Sequence, residues 1–317
     1  MDCNKVEQLT VGSTSIWQIE GQTAFFYKAG MAIDADGAPQ AYHPGPDSNL
    51  GLDYLANAGS PGNWFGIVTD NGQRNGNPIV QGSDDPAPGF YVSPTALQDK
   101  TKKPTDPLSY VDATQIPYIV LPPELRSNLG AQLGDFAVVI NSKNSQLSEA
   151  IFADIGPRGK IGEGSIALAS NLGIPSSPKH GGTDSGVIYV VFPGSGNGNP
   201  RNIDEITSEA KNLCQAMGGM AQIQACYPEL APTIPTVTAI NPTSGSVDGG
   251  DTVVITGSGF TGATDVGFGA TNATSISVDN DNQITAVSPA GSSTVDVTII
   301  TPNGTSAISA VDQFTYM

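Results

Sequence analysis

The sequence predicts a mainly β protein made of two domains. With 317 residues the chain is long for a single domain, so two domains are expected. Glycine occurs 38 times and proline 24 times while only 14% of the residues are charged, which is typical of a fold with many turns. The composition changes near residue 228, which predicts a domain boundary there.

The N-terminal part contains short apolar segments that are rich in β-branched and aromatic side chains. Loops rich in glycine and proline separate these segments, so we expect them to be strands. The clearest of them are "TAFFYKAGMAI", "NWFGIVT", "IPYIVLP", "DFAVVIN", "AIFADIG" and "GVIYVVFPG".

Two segments of the same part have a helical pattern. "EGSIALASNLGI" offers Ser165 as an N-cap and Gly173 as a stop. The stretch 203–217 is the clearest helix, and Gly218–Gly219 is expected to end it. Its apolar residues recur on one helical face: Ile203, Ile206, Ala210, Leu213 and Met217.

The C-terminal part differs in kind. Residues 229–235 are rich in proline and are typical of a linker. Residues 236–317 show short alternating strands, regular turns and almost no helical pattern, which predicts a β-sandwich. Residues 1–228 then form the other domain.

The net charge of −17 restricts the possible partners. An acidic surface repels nucleic acid and anionic lipid, so neither is expected to bind, whereas a polycation would be attracted. Good solubility is the alternative explanation of the same charge. No apolar run approaches the roughly 18 residues that a membrane-spanning helix needs, and no signal peptide is recognisable.

No metal or cofactor is expected. His43 and His180 have no cysteine or histidine at ligand spacing, and the three cysteines do not form a metal motif. Cys214 and Cys226 enclose a short loop and could form a disulfide in an oxidising compartment, leaving Cys3 over. Two reduced, buried thiols fit the sequence nearly as well.

Asp154 and Glu163 are the candidate catalytic pair. Asp154 follows an apolar run, and Glu163 lies nine positions later, between two glycines and before a short helical pattern. Cleavage of a glycosidic bond needs one carboxylic acid to protonate the leaving oxygen and one carboxylate on the opposite face. The same spacing also fits two acids that hold a loop, with Arg158 or Lys160 as their partners.

Several blocks of the first domain, from about residue 20 to 195, resemble the chitosanases of glycoside hydrolase family 75. They occur in the expected order: "FYKAGMAIDADGAPQAYHP", "GLDYLANAG", "GNWFGIVTDNG", "PGFYVSPTAL", "YVDATQIPYIVLP", "GDFAVVIN", "AIFADIGPRGKIGEGSIALASNLGI" and "GVIYVVFPGS". The resemblance implies a secreted, endo-acting enzyme that hydrolyses β-1,4 bonds in chitosan with inversion. Its signal peptide would then have been removed. The family's aspartate and glutamate fall on Asp154 and Glu163.

The stretch around the two acids is also similar to double-psi β-barrels, in which a catalytic acid occupies the position of Glu163. This likeness implies that Glu163 is the general acid and Asp154 the general base. One physical argument favours the reverse order, because a carboxylate just before a helix N-terminus is stabilised as the anion.

The C-terminal residues resemble the immunoglobulin-like IPT/TIG module. The resemblance rests on "INPTSGSVDGGDTVVITGSGF", "ITAVSPAG", "VDVTIITPNGTSA" and the closing "FTYM". No aromatic row suited to sugar stacking is visible, so a spacer role is favoured over a binding role.

Three further residues are predicted to bind substrate. Asp34 lies in a family-like block and could hold a substrate amine; a calcium loop is not favoured, because the ligands that should follow Asp34 and Asp36 are missing. Tyr42 and Trp64 could stack on sugar rings, although such aromatics often belong to a core.

We therefore expect a monomeric chitosanase. The alternatives are a peptidoglycan-lytic enzyme and a non-catalytic, expansin-like wall-binding protein on the same barrel.

Overall fold

The computed structural model describes residues 2–45, 49–231 and 233–317. It divides into two compact units, Met1–Leu230 and Ala231–Met317. The first unit extends to Leu230 because that side chain is buried in its core.

The first unit contains ten strands and four α-helices within the described residues. The strands are β1 (Lys5–Val11), β2 (Thr14–Ile19), β3 (Phe25–Asp34), β4 (Gly59–Ser60), β5 (Asn63–Trp64), β6 (Tyr118–Leu121), β7 (Phe136–Asn141), β8 (Gln146–Ile155), β9 (Glu163–Ser165) and β10 (Thr183–Val191). The helices are α1 (Pro123–Leu129), α2 (Ile166–Asn171), α3 (Ile203–Ala216) and α4 (Gly219–Cys226). Single 3₁₀ turns lie at Leu55–Ala58, Pro107–Ser109 and Pro228–Leu230.

Six strands of this unit close into a barrel. The hydrogen-bonded order is β3–β10–β7–β8–β6–β9, and β9 pairs with β3 to complete the ring. All residues of β6 and β7 are buried, as their uninterrupted apolar sequences predict. The predicted mainly β class is therefore confirmed.

The long segment 35–117 packs on one face of this sheet. It contains little regular structure, yet Tyr42, Trp64 and Leu97 join the same apolar cluster as Val138 and Val190 from the barrel strands. Val120 of β6 belongs to the same face. The segment therefore lies beside β8 and β9, the strands that contain Asp154 and Glu163.

The predicted helices are present. Asn202 caps α3 in a capping box with Glu205, and Ser165 caps α2 by accepting a hydrogen bond from the Leu168 N–H. Gly173 follows α2 with a φ of 62°, the left-handed conformation that suits glycine at a helix end. The sequence reasoning missed α4, which begins immediately after α3 ends.

The disulfide differs from the predicted pair. Cys3 and Cys226 are bonded, which ties the start of the first unit to its last helix, while Cys214 is free and buried. The partner of Cys226 was missed because the two bonded cysteines are 223 residues apart in the sequence. Cys214 instead faces the core from α3.

The second unit is a β-sandwich, as predicted. Its strands are β11 (Thr236–Asn241), β12 (Ser244–Gly245), β13 (Thr252–Ser258), β14 (Asp265–Phe268), β15 (Thr271–Asn272), β16 (Ser275–Asn280), β17 (Gln283–Val287), β18 (Thr294–Thr301), β19 (Gly304–Thr305) and β20 (Gln313–Tyr316). One sheet has the order β11–β13–β17–β16, and the other β12–β20–β18–β14–β15 with β19 beside β18. Apolar residues of both sheets form one core, with Val253, Ile255, Val297 and Phe314 at its centre.

In neither unit does a described helix have the length and apolarity needed to cross a membrane.

Candidate active site

Strand β6 brings the two candidate acids to the same face of the barrel. Val120 lies opposite Asp154 on β8 and opposite Glu163 on β9. Residues directly opposite one another in a sheet point their side chains to the same face. Asp154 and Glu163 are therefore separated by the width of one intervening strand.

A β-bulge gives Asp154 this orientation. Ile119 pairs with Phe152 and Val120 pairs with Asp154, so Ala153 is the extra residue on β8. Without the bulge Asp154 would not lie opposite Val120, because side chains alternate between the two faces of a strand. The bulge turns the acid out of the apolar set that contains Phe152.

Strand β3 adds a third acid next to Glu163. Ala32 lies opposite Glu163, and Asp34 lies two residues further along, on the same face. Asp34 is 8% exposed, and its Oδ1 accepts a hydrogen bond from the Asp36 N–H at 2.9 Å.

Asp36 completes a cluster of three acids. Its Oδ1 accepts hydrogen bonds from the Tyr42 hydroxyl at 2.8 Å and from the Ser93 hydroxyl at 3.1 Å. Carboxylate oxygens of Asp34, Asp36 and Asp154 lie within 4.8 Å of one another. Such a group would be stabilised by a cation, and an ammonium group or a metal ion could supply it.

The acids line a groove of about 1010 Å³, which we call the acidic groove. The segment after β3 contributes Asp53, Phe65 and Arg74, and the loop after β8 contributes Lys160. Within the described residues, five acidic side chains and two basic ones line it. The groove therefore favours a cationic ligand.

Burial raises the pKa of every acid in this cluster. It raises the pKa of Asp34 to about 6, and the pKa values of Asp154 and Glu163 to about 8. The negative charge of Asp34 is the second cause for both Asp154 and Glu163, while Lys160 opposes the shift at Glu163. Burial and the charge of Asp34 also hold the pKa of Asp36 well above its usual range.

The hydrogen bonds of the two candidate catalytic acids differ. The Ala96 N–H donates to Asp154 Oδ1 at 2.8 Å, which stabilises the ionised form. No residue in the described ranges donates a hydrogen bond to the Glu163 carboxyl. Ser165, and not Glu163, caps α2, a helix of only six residues. The helix argument for an ionised Glu163 therefore loses its basis.

Two further regions adjoin the acidic groove. A hollow of about 480 Å³ shares Pro157, Lys160 and Glu163 with it, and we call this the connecting hollow. A second groove of about 1200 Å³ shares Ile161 and Gly162 with the connecting hollow. The three regions share lining residues and therefore lie next to one another around Glu163.

The structure brings together four of the five residues predicted for the site. Asp34, Tyr42, Asp154 and Glu163 all line the acidic groove. Trp64 is 6% exposed, packs near Tyr91 and is not among the described lining residues.

The exposed aromatic ring of the groove is the neighbouring Phe65, which is 54% exposed. Sequence reasoning also missed Asp53 and Arg74. Asp53 stands in the family-like block "GLDYLANAG", which could have indicated it.

Comparison with known families gives two matches. Residues 67–221 match the family described as fungal chitosanase of glycosyl hydrolase group 75, and residues 235–316 match the IPT/TIG domain. The chitosanase match includes Asp154 and Glu163 and excludes Asp34. No curated protein matches the chain.

Solved structures give weaker likenesses. The plexin A4 extracellular region is 18% identical with a TM-score of 0.23, and the match covers 27% of this chain and 9% of that one. The gamma-CGTase from Alkalophilic bacillus clarkii is 17% identical with a TM-score of 0.24, and the match covers 44% of this chain and 16% of that one. The chain thus spans less than a fifth of either structure.

The family matches agree with a barrel that carries two half-buried acids in a groove. Residues 67–221 therefore form a domain of the group 75 chitosanase type, a class of glycoside hydrolase, and an IPT/TIG domain follows at residues 235–316.

Proposed function

We propose that the first unit hydrolyses β-1,4 bonds within chitosan chains by an inverting mechanism, with Glu163 as the general acid and Asp154 as the general base. The observation that carries the proposal is the position of both acids opposite Val120, on one face of the barrel and in one groove.

The sheet geometry supports inversion. Neighbouring strands lie about 4.8 Å apart, so two residues on either side of β6 have Cα atoms roughly 10 Å apart. Inverting enzymes hold their carboxyl groups about 6.5–9.5 Å apart to leave room for a water molecule, whereas retaining enzymes need about 5–5.5 Å. The intervening strand therefore favours the wider arrangement.

The hydrogen bonds support the assignment of roles. Burial raises the pKa of both acids to about 8, but the Ala96 N–H donates to Asp154 and opposes that shift. Asp154 is therefore assigned as the base, which accepts a proton from water while the water oxygen bonds to the anomeric carbon. Glu163, which burial favours in its protonated form, donates its proton to the glycosidic oxygen as the bond to that oxygen breaks. Asp154 ends protonated and Glu163 ionised, and exchange with water restores both.

The charge of the acidic groove supports chitosan as the substrate. Its glucosamine units carry ammonium groups, and the groove presents acids with few basic side chains. Asp34 lies close enough to Asp36 and Asp154 for one ammonium group to contact all three, and we propose that it holds the amine of the reacting unit. Tyr42 supports this site by donating to Asp36.

The three neighbouring regions support cleavage within the polymer. An endo-acting enzyme must bind sugar units on both sides of the broken bond. The connecting hollow and the second groove provide space beyond Glu163, and the acidic groove provides it on the side of Asp154.

Other features support a secreted enzyme with a spacer module. The Cys3–Cys226 disulfide is typical of an oxidising compartment. We further propose a monomer whose IPT/TIG domain is a spacer, and a double-psi topology for the barrel, supported by the parallel pairs β3–β9 and β6–β8.

A substrate panel tests the proposal. Fully deacetylated chitosan should release reducing sugar fastest, because peptidoglycan carries carboxylates that the acidic groove repels. Asp154→Asn and Glu163→Gln should each remain folded and lose at least about 100-fold in rate, the usual effect of removing a positioned acid or base. Near-normal activity of either variant would remove that residue from the mechanism. Faster release from peptidoglycan would favour the lytic alternative, and no release from any polymer would favour a non-catalytic wall-binding protein.

A further inference from the structure

The second groove differs in chemistry from the acidic groove. It is lined by the hydroxyl groups of residues 13–15, by the rings of Trp17 and Tyr227, and by the glycine-rich stretch 181–186. Its charged lining residues within the described chain are Lys28, Lys143 and Asp184. A cationic sugar unit therefore loses the attraction that it has in the acidic groove.

Both lysines are held by neighbouring groups. Lys28 forms an ion pair with Glu229, with Nζ and Oε1 2.6 Å apart, and Lys143 donates a hydrogen bond to the Thr183 hydroxyl at 2.9 Å. Among the described residues Lys143 has no carboxylate partner, whereas Lys28 is paired with Glu229.

Trp17 offers a surface for an uncharged sugar ring. The Trp17 side chain is partly buried. Lys5 Nζ lies 4.9 Å from the centre of the indole ring, and this contact restricts the movement of the ring. Aromatic rings pack well against apolar surfaces such as the faces of sugar rings, and the positive charge of Lys5 beside Trp17 repels an ammonium group there.

The position of Glu163 orients the polymer. Glu163 lines both the acidic groove and the connecting hollow, whereas Asp154 lines the acidic groove and is not among the described residues of the other two regions. The base must act at the anomeric carbon that is attacked, and the acid at the oxygen that leaves. The attacked unit therefore lies in the acidic groove, and the leaving unit lies toward the second groove.

We propose that the second groove binds the leaving side of the chain and accepts its uncharged N-acetylglucosamine units, while the acidic groove requires glucosamine at the attacked unit. This inference rests on the proposed function and adds a direction and a selectivity to it. An acetylated attacked unit would bring an uncharged amide to Asp34, Asp36 and Asp154, and these acids would lose their cationic partner.

The composition of the product ends tests this inference. Partially acetylated chitosan should give fragments whose new reducing ends are glucosamine and whose new non-reducing ends are frequently N-acetylglucosamine, as read by mass-spectrometric sequencing. Acetylated new reducing ends, or an exclusion of acetylated units from new non-reducing ends, would overturn it. Hydrolysis of fully deacetylated chitosan is the separate readout. If this polymer is not hydrolysed, the proposed function fails. If it is hydrolysed but partially acetylated chitosan gives the wrong ends, this inference alone fails.

Two variants sharpen the experiment. Lys143→Glu should attract glucosamine into the second groove and reduce the share of acetylated non-reducing ends at least twofold, whereas Lys100→Glu makes the same charge change at an exposed residue outside the grooves and should leave it unchanged. Trp17→Ala should raise KM for partially acetylated chitosan about tenfold. If Lys143→Glu and Lys100→Glu give identical ends, the second groove does not select the leaving unit.

Discussion

Replacing Glu163 with glutamine should stabilise the first unit at alkaline pH and lower its activity at least about 100-fold. Burial raises the pKa of Glu163 from 4.5 to about 8, so the folded chain holds this proton over a pH window in which the unfolded chain has released it. The wild-type protein therefore loses stability as the pH rises through that window, and below about pH 4.5 the effect is absent. Glutamine has a similar shape and cannot ionise, so the variant escapes the loss.

The magnitude follows from the same shift. At about 1.4 kcal/mol per pKa unit, the full difference corresponds to about 5 kcal/mol. The groove admits water, and the charges of Asp34 and Asp154 supply part of the shift. We therefore expect a gain of about 2–3 kcal/mol at pH 9.

Urea unfolding at pH 4 and pH 9 measures this change. Glu163→Gln should leave the free energy of unfolding nearly unchanged at pH 4 and raise it at pH 9. Glu209→Gln, on the exposed face of α3, is the matched control and should change it little at either pH. An equal effect of Glu163→Gln at both pH values, or a loss of stability at pH 9, would refute the reasoning.

Three further results are expected. Asp34→Asn should move the alkaline limb of the pH–rate profile to lower pH, because the charge of Asp34 helps to raise the pKa of the general acid Glu163; an unchanged limb would show that Asp34 does not act on it. A chain that ends at Leu230 should keep its rate on short soluble oligomers, since the acids lie in the first unit; a folded but inactive product would show that the second unit completes the site. Replacing both Cys3 and Cys226 with serine should lower the free energy of unfolding by about 2–5 kcal/mol, because the bond closes a very long loop; equal stability with and without the bond would contradict this.

The sequence contained enough information for the main barrel strands β3, β6, β7, β8 and β10 and for the two acids, whereas β1 and β2 were not predicted and "NWFGIVT" is a strand only at Asn63–Trp64. β6 and β7 are uninterrupted apolar runs. The family-like blocks contain both Asp154 and Glu163, so these two acids could be expected to lie close together. The bulge at Ala153 could not be predicted from the sequence, because it depends on the pairing register between β8 and β6.

Contacts between distant segments were the part that sequence reasoning could not supply. Asp36 reads as a turn residue, but in the fold Ser93 and Tyr42 hold it beside Asp34. Trp64 and Phe65 are adjacent aromatics, and only the packing of segment 35–117 determines which of them faces the groove. The local pairing considered for Cys226 failed for the same reason.

The anomeric configuration of the first products tests the central claim most directly. Proton NMR of the early reaction with fully deacetylated chitosan should show α-configured new reducing ends before mutarotation, because water attacks opposite the leaving oxygen across the width of β6. Initial β-configured ends would show that configuration is retained, that Asp154 acts as a nucleophile, and that the proposed water-separated pair of acids is wrong.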